Sequence, residues 1–202
     1  MSTSDPQGDS GSVAVDSRLE TGTIAFDLQK AGPAFLEPGH TRLTFGGGVA
    51  WALESDDEST DYNVFVTWSR FLVQDIEIRL EGGLWYFDQE GDTAFGFNPS
   101  FTFRWHLIKS DPWTIFSDPW TIFADAGIGV LLASDDVPSG GTSFNFMPRA
   151  GGGVTYRLND VGHRLELGVR WHHVSNARVT GDSNNPDRDG VMVYAGFSIP
   201  FN

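Results

Sequence analysis

The chain has 202 residues, and 13 Lys and Arg residues against 27 Asp and Glu residues give it a formal net charge of −14. That charge opposes binding to nucleic-acid phosphates, and the absence of cysteine excludes disulfides, thiol catalysis and Cys-ligated zinc sites. No run of about 18 apolar residues is present, so a transmembrane helix is excluded, whereas a membrane barrel of alternating strands is not.

The N-terminal region differs in character from the rest of the chain. Residues 1–22 are polar and contain no apolar core of the kind that a signal peptide has. Either the protein stays inside the cell or the export signal is absent from the chain, and the exported character of the remaining sequence favours the second interpretation. We predict that residues 1–40 are a largely disordered segment or a periplasmic lead-in. The short alternating piece 23–28 is either an extra strand or part of that lead-in.

From residue 41 onward, apolar and polar residues alternate with the period of two that indicates β-strands. In 94–108, the odd positions from Phe95 to Leu107 are apolar, and the even positions from Gly96 to His106 are small or polar. Many of the segments exceed the usual strand length of about 5–6 residues and suit a tilted bilayer span of about 9–11 residues or more. The other seven predicted strands are 41–53, 62–72, 75–87, 120–133, 144–158, 163–175 and 191–201.

Two of these strands carry charged residues on one face and large apolar residues on the other. Arg79 and Glu81 share one parity in the third strand, and Glu166 and Arg170 share one parity in the seventh. A small membrane barrel turns such charges inward, whereas a soluble lipocalin-like lipid carrier turns them outward. Strand length, glycines on the polar faces and aromatic strand ends favour the membrane protein. The predicted fold is therefore an all-β, eight-stranded antiparallel transmembrane β-barrel over residues 41–202.

Short and long connections alternate between the predicted strands. Tight turns are expected at 73–74 and 159–162, whereas the intervening connections are acidic or rich in Asp, Gly and Asn: 54–61, 88–92, 134–143 and 177–190. With eight strands, these four connections fall at one end, as the outer loops of outer-membrane barrels do. Their carboxylates either meet divalent cations bound to anionic lipopolysaccharide or are simply solvated.

A perfect tandem repeat, SDPWTIF, occupies residues 110–116 and 117–123. An insertion of seven residues reverses strand parity, so both copies cannot lie on the same face of one regular strand. We expect the second copy to begin the fifth strand. The first copy is expected to enlarge the preceding turn, where its proline fits better than in a central strand.

The residues with catalytic chemistry lie at the end of the seventh strand, where residues 171–177 read WHHVSNA. His173 and Ser175 are two residues apart, so they share one strand face at about 7 Å between backbone positions. Side chains that lean together from such positions form the pair that a serine nucleophile and its base require. Both share the parity of the predicted lipid face, where polar residues are costly. The alternative is that both lie in the interfacial zone above the membrane, where polar residues are ordinary.

The run His173-Val174-Ser175-Asn176-Ala177 resembles the H-x-S-N-A motif of the lipid A 3-O-deacylase family, the PagL-like acyloxyacyl hydrolases of the bacterial outer membrane. The resemblance implies an eight-stranded barrel whose seventh strand ends in the motif, with His and Ser facing the lipid. An acid-containing loop then leads into the last strand. Here that loop is 185–190, and Asp189 fits the acid position, with Asp182 and Asp187 as alternatives.

The same resemblance implies the chemistry of an outer-membrane serine ester hydrolase that removes an ester-linked 3-hydroxyacyl chain from lipid A or lipopolysaccharide. In this interpretation His173 accepts the proton of Ser175 and Asp189 orients His173. Asn176 stabilises the oxyanion through its side chain or its backbone N–H. No metal or cofactor is expected, and the partners are lipopolysaccharide and outer-membrane lipids. The alternatives are a non-enzymatic outer-membrane barrel with a structural, adhesion or binding role at its acidic loops, and the soluble lipid carrier.

Overall fold

The computed structural model describes residues 33–53, 59–89, 91–109, 119–179 and 185–201. Each strand pairs antiparallel with its neighbours in sequence, and the first also pairs with the last, so the sheet closes into a barrel. This confirms the predicted fold class. Helices long and apolar enough to span a membrane are absent from the described ranges. The strands are β1 (Thr41–Ala52), β2 (Thr60–Val73), β3 (Ile76–Gln89), β4 (Asp92–Lys109), β5 (Trp120–Ala133), β6 (Phe144–Arg157), β7 (Arg164–Val174) and β8 (Arg188–Pro200).

The alternation along each strand decides which side chains enter the lumen. Arg79, Glu81, Glu166 and Arg170 all point inward and are at most 6% exposed, as their shared parity predicts. The neighbouring positions carry large apolar side chains such as Leu80 and Leu167, which are exposed on the outer wall. A barrel with charges inside and apolar residues outside is suited to a lipid environment.

Ion pairs that span the lumen compensate the buried charges. Arg104 on β4 donates from Nη2 to Asp125 Oδ2 and from Nη1 to Glu166 Oε2, each at 2.8 Å. Arg79 donates to the same Glu166, and Arg149 on β6 donates to Glu81 on β3 at 2.7 Å. Buried charges require such partners, because an unpaired charge in a water-poor interior is strongly destabilising.

An apolar layer fills the lumen at the end of the barrel where β7 ends and β8 begins. Phe87, Leu131, Met147 and Val174 are fully buried there and belong to one hydrophobic cluster. Val174 follows His173 and precedes Ser175 in the chain. Because its side chain is fixed in the apolar layer, strand alternation turns the two flanking residues toward the outer wall.

Residues 33–40 pack against the opposite end of the barrel. The Leu36 side chain is buried, and its carbonyl accepts a hydrogen bond from the Asp75 N–H at 3.0 Å. The Phe35 ring lies beneath the Arg164 guanidinium at 3.8 Å and meets the Phe71 ring edge-on at 5.5 Å. The rest of the predicted N-terminal segment, including 23–28, lies outside the described residues.

Two strand boundaries bear on the sequence predictions. β8 begins at Arg188, three residues before the predicted start, because Arg188, Asp189 and Gly190 pair with the end of β7. The second copy of the tandem repeat enters β5 at Trp120, as expected. The first copy lies outside the described residues.

Candidate active site

The end of β7 and the beginning of β8 form one continuous patch on the outer wall. In the register of these strands, His173 lies directly opposite Asp189, and Trp171 lies opposite Val191. Directly opposed residues on adjacent antiparallel strands bring their Cβ atoms to within about 4.5–5.5 Å of each other. Because Asp189 belongs to the strand rather than to the preceding loop, its backbone is held at a fixed position beside His173.

His173 and Asp189 form a hydrogen bond of 2.9 Å between Nδ1 and Oδ1. A carboxylate can only accept, so the imidazole carries its proton on Nδ1 and leaves the Nε2 lone pair available as a base. The two side chains are 24% and 43% exposed, which places the pair at the surface rather than in the lumen. This is the relation between an orienting acid and a general base.

Ser175 lies one position beyond the end of β7 and is held through its backbone. Its N–H donates to the Phe146 carbonyl at 3.2 Å, and the Phe146 N–H donates to the Ser175 carbonyl at 2.8 Å. Within the described residues the Ser175 hydroxyl makes no hydrogen bond, so the structure does not join it to His173. His173 Nε2 instead faces Asp187 Oδ2 at 4.0 Å.

The Asn176 side chain points away from this patch. It is buried, its Oδ1 accepts from the Arg178 N–H at 2.8 Å, and its Nδ2 donates to Thr142 Oγ1 at 3.3 Å. Its backbone N–H donates to Asn185 Oδ1 at 2.8 Å. The structure therefore brings His173 and Asp189 together but does not bring the Asn176 side chain to them. Asp182, one of the alternative acids, lies outside the described residues.

A strained turn follows the candidate nucleophile directly. Ala177 and Arg178 have φ values of 53° and 61°, and the Val179 N–H donates to the Asn176 carbonyl at 3.1 Å. Two positive φ values inside a hydrogen-bonded turn are the pattern of a type I′ turn, which favours Gly or Asn at these positions. Asn176 stabilises the turn through its bond to the Arg178 N–H. Sequence reasoning missed this turn, because Ala and Arg are not turn-forming residues.

Sequence reasoning also missed a tryptophan at the site. Trp171 Nε1 donates to Asp189 Oδ1 at 3.1 Å, and the indole ring lies nearly parallel to the His173 ring, 6.3 Å away. The signal that was available is parity, because Trp171 shares the outward face with His173. In the described part of the chain no cluster of His, Asp and Glu side chains could hold a metal ion.

Gly190 is required by the packing beneath the site. A Cβ atom at this position would lie 2.6 Å from His172 Nε2, and His172 is almost fully buried. We expect Gly190→Ala to force β7 and β8 apart beside Asp189, lowering any activity of the site at least about tenfold and destabilising the barrel by about 1–3 kcal/mol. Thermal unfolding and substrate turnover measure the two effects.

Gly82→Ala is the matched control for this prediction. A Cβ atom there would meet only the Phe97 ring at an ordinary contact distance of 3.6 Å. Wild-type behaviour of Gly190→Ala in both measurements would show that the His172 ring can move and that close packing at Gly190 is not needed.

The sequence profile described as lipid A 3-O-deacylase (PagL) matches residues 59–198, a range that includes His173, Ser175 and Asp189. The crystal structure of the outer membrane enzyme PagL is similar, with 21% identity, coverage of 79% of this chain and 99% of PagL, and a TM-score of 0.52.

A second solved structure shares the barrel. Neisserial surface protein A is 13% identical, with coverage of 80% of this chain and 97% of that protein, and a TM-score of 0.59. No curated protein sequence matches the chain. At these identities the solved structures support the fold alone, whereas the family profile covers well over half of the sequence. The chain is a bacterial outer-membrane barrel that belongs to the lipid A 3-O-deacylase (PagL) family.

Proposed function

We propose that the protein is a serine ester hydrolase that removes an ester-linked 3-hydroxyacyl chain from lipid A or lipopolysaccharide. The observation that carries the proposal is the hydrogen bond between His173 and Asp189 on the outer wall. His173 lies two residues before Ser175 in the chain. The family profile supports the substrate class, because the family is described as a lipid A 3-O-deacylase.

The proposed reaction is acyl transfer through a covalent intermediate. Ser175 Oγ attacks the ester carbonyl while its proton passes to His173 Nε2, and Asp189 stabilises the resulting imidazolium. The tetrahedral intermediate collapses, and the leaving sugar oxygen takes the proton from Nε2. Water then attacks the acyl-serine with His173 again acting as the base, which releases the hydroxy fatty acid and restores the serine.

The proposed oxyanion donor is the backbone N–H of Asn176 rather than its side chain. That N–H already points at an oxygen, the Asn185 amide Oδ1, at 2.8 Å. This is the distance at which an oxyanion is bound by a preorganised donor. In this proposal the substrate oxygen displaces the Asn185 amide, and the side chain of Asn176 maintains the strained turn through Arg178.

The outer wall below the site supports a lipid substrate. An apolar groove of about 520 Å³ lies on the same wall, lined by residues that include Gly152, Gly153, Val169 and Val193. Val169 is four residues before His173 on β7 and shares its outward face. Gly152 pairs with the outward-facing Val169 and leaves the outer wall without a side chain at this point, so an acyl chain fits against the strands. A glycolipid can therefore reach the site from within the bilayer.

The direct test is hydrolysis of lipid A by the full chain, folded in detergent micelles. We expect mass spectrometry to show loss of one ester-linked 3-hydroxyacyl chain from lipid A and appearance of the free 3-hydroxy fatty acid. The Ser175→Ala protein, folded in the same way, serves as the control for contaminating activity. If the wild type releases no acyl chain from a panel of lipid A species, the non-enzymatic barrel becomes the correct interpretation.

A further inference from the structure

The outer face of β7 places one tryptophan in contact with both ionisable side chains of the site. We propose that Trp171 is a positioning residue whose indole N–H fixes the Asp189 carboxylate for its bond to His173. The indole N–H and His173 Nδ1 both donate to Asp189 Oδ1, at 3.1 and 2.9 Å. The inference rests on the proposed hydrolase function, and it adds a residue that the motif of that function does not contain.

The register of the strands explains why a tryptophan reaches the acid. Trp171 lies opposite Val191, so Asp189 is its diagonal neighbour on β8. Diagonal neighbours are about 7–8 Å apart at the backbone, a distance that long and aromatic side chains span and short ones do not. The indole presents an apolar body to the lipid and one polar N–H toward the acid, which suits a site at the membrane surface.

The Trp171 donor matters because Asp189 is short and nearly half exposed. Water competes with the imidazole for an exposed carboxylate, and rotation toward water would move Oδ1 away from Nδ1 of His173. Two donors that converge on one oxygen from different strand positions restrict that rotation and hold the carboxylate beside Nδ1.

The contacts of Trp171 also distinguish Asp189 from the neighbouring acid Asp187. Asp187 is more exposed than Asp189 and lies 4.0 Å from His173 Nε2, the atom that must accept the serine proton. Trp171 bonds to Asp189 and stacks along the His173 ring at an angle of 28°. Both contacts favour the ring orientation in which Nδ1 meets Asp189 and Nε2 remains available for Ser175.

The test combines a conservative substitution with a double-variant cycle. Trp171→Phe keeps an aromatic ring but removes the donor, and we expect kcat on lipid A to fall roughly tenfold while KM changes by less than about twofold. In the Asp189→Ala background, Trp171→Phe should have no further effect on kcat, because the group it acts through is gone. Trp105→Phe is the control, since Trp105 is also exposed on the outer wall but lies on β4 away from the site.

The outcomes distinguish a failure of the proposed Trp171 role from a failure of the proposed hydrolase function. An inactive wild type overturns both, whereas an active wild type with equal losses from Trp171→Phe in both backgrounds overturns the role of Trp171 alone. A loss that appears in KM rather than kcat likewise contradicts positioning and assigns Trp171 to lipid binding. If Trp171→Phe does not fold, Trp171 is replaced by benzothienylalanine, in which sulfur takes the place of the indole N–H in an otherwise similar ring. The effect of losing the N–H donor on kcat is then compared in the same two backgrounds.

Discussion

Replacing Ser175 by Ala is expected to lower the rate of acyl release from lipid A by at least about 10³-fold without unfolding the barrel. The hydroxyl is the proposed nucleophile, and its removal leaves no atom that can form the acyl-enzyme. The fold should survive because Ser175 is held by two backbone hydrogen bonds to Phe146, which Ala also makes. Release of 3-hydroxy fatty acid, measured by mass spectrometry, gives the rate, and heat-dependent migration on gels reports the folded barrel.

His173→Ala should cause nearly the same loss, and the double variant should be no slower than either single variant. A serine without its base is a weak nucleophile, so the two side chains act as one unit and their losses do not add. Ser143→Ala, at the same end of the barrel, is the control for removing a loop hydroxyl. Full activity in Ser175→Ala would assign the chemistry to a different residue.

Asp189→Asn is expected to reduce kcat/KM by roughly 10²-fold, less than the loss at Ser175. The amide retains the shape of the carboxylate but cannot stabilise the imidazolium, and its NH₂ group favours the tautomer with the proton on Nε2. In that tautomer Nε2, the proposed acceptor of the serine proton, can no longer take it. Initial rates of acyl release over a range of lipid A concentrations measure the effect.

Asp187→Asn is the matched comparison, because it changes an equally charged side chain two residues away. This carboxylate is 68% exposed and lies 4.0 Å from His173, and exposed pairs of this kind contribute little. We expect its kcat/KM to stay within about threefold of the wild type. The reverse pattern, a crippled Asp187→Asn and an unaffected Asp189→Asn, would make Asp187 the acid and leave the hydrolase proposal intact.

The barrel could be predicted because its main signal is local. Arg79 and Glu81 share a parity with each other and differ in parity from Leu80, so a period of two separates the lumen from the outer wall within a single strand. Closure of eight such strands follows from their number and length. The strand ends were predicted less accurately, because the first residues of β8 are defined by pairing with β7 rather than by their own composition.

The site was predictable only where it depends on one strand. The shared face of His173 and Ser175 follows from their spacing, and the inward direction of Asn176 follows from the same alternation. The contact between His173 and Asp189 depends on the register between β7 and β8, which separate segments of sequence do not contain. The contact of Trp171 with Asp189 depends on that register as well, and the turn at Ala177 and Arg178 has no compositional signal.

The ion pairs across the lumen have a consequence for how the protein enters its membrane. Arg104 and Glu166 are 62 residues apart in the chain, and Arg79 and Glu166 are 87 apart, so neither pair exists until β3, β4 and β7 have come together. A single strand inserted alone would carry an unpaired guanidinium or carboxylate into hydrocarbon, which is highly unfavourable. Insertion and closure are therefore expected to be one concerted, slow step, limited by the search for these distant partners rather than by the formation of individual hairpins.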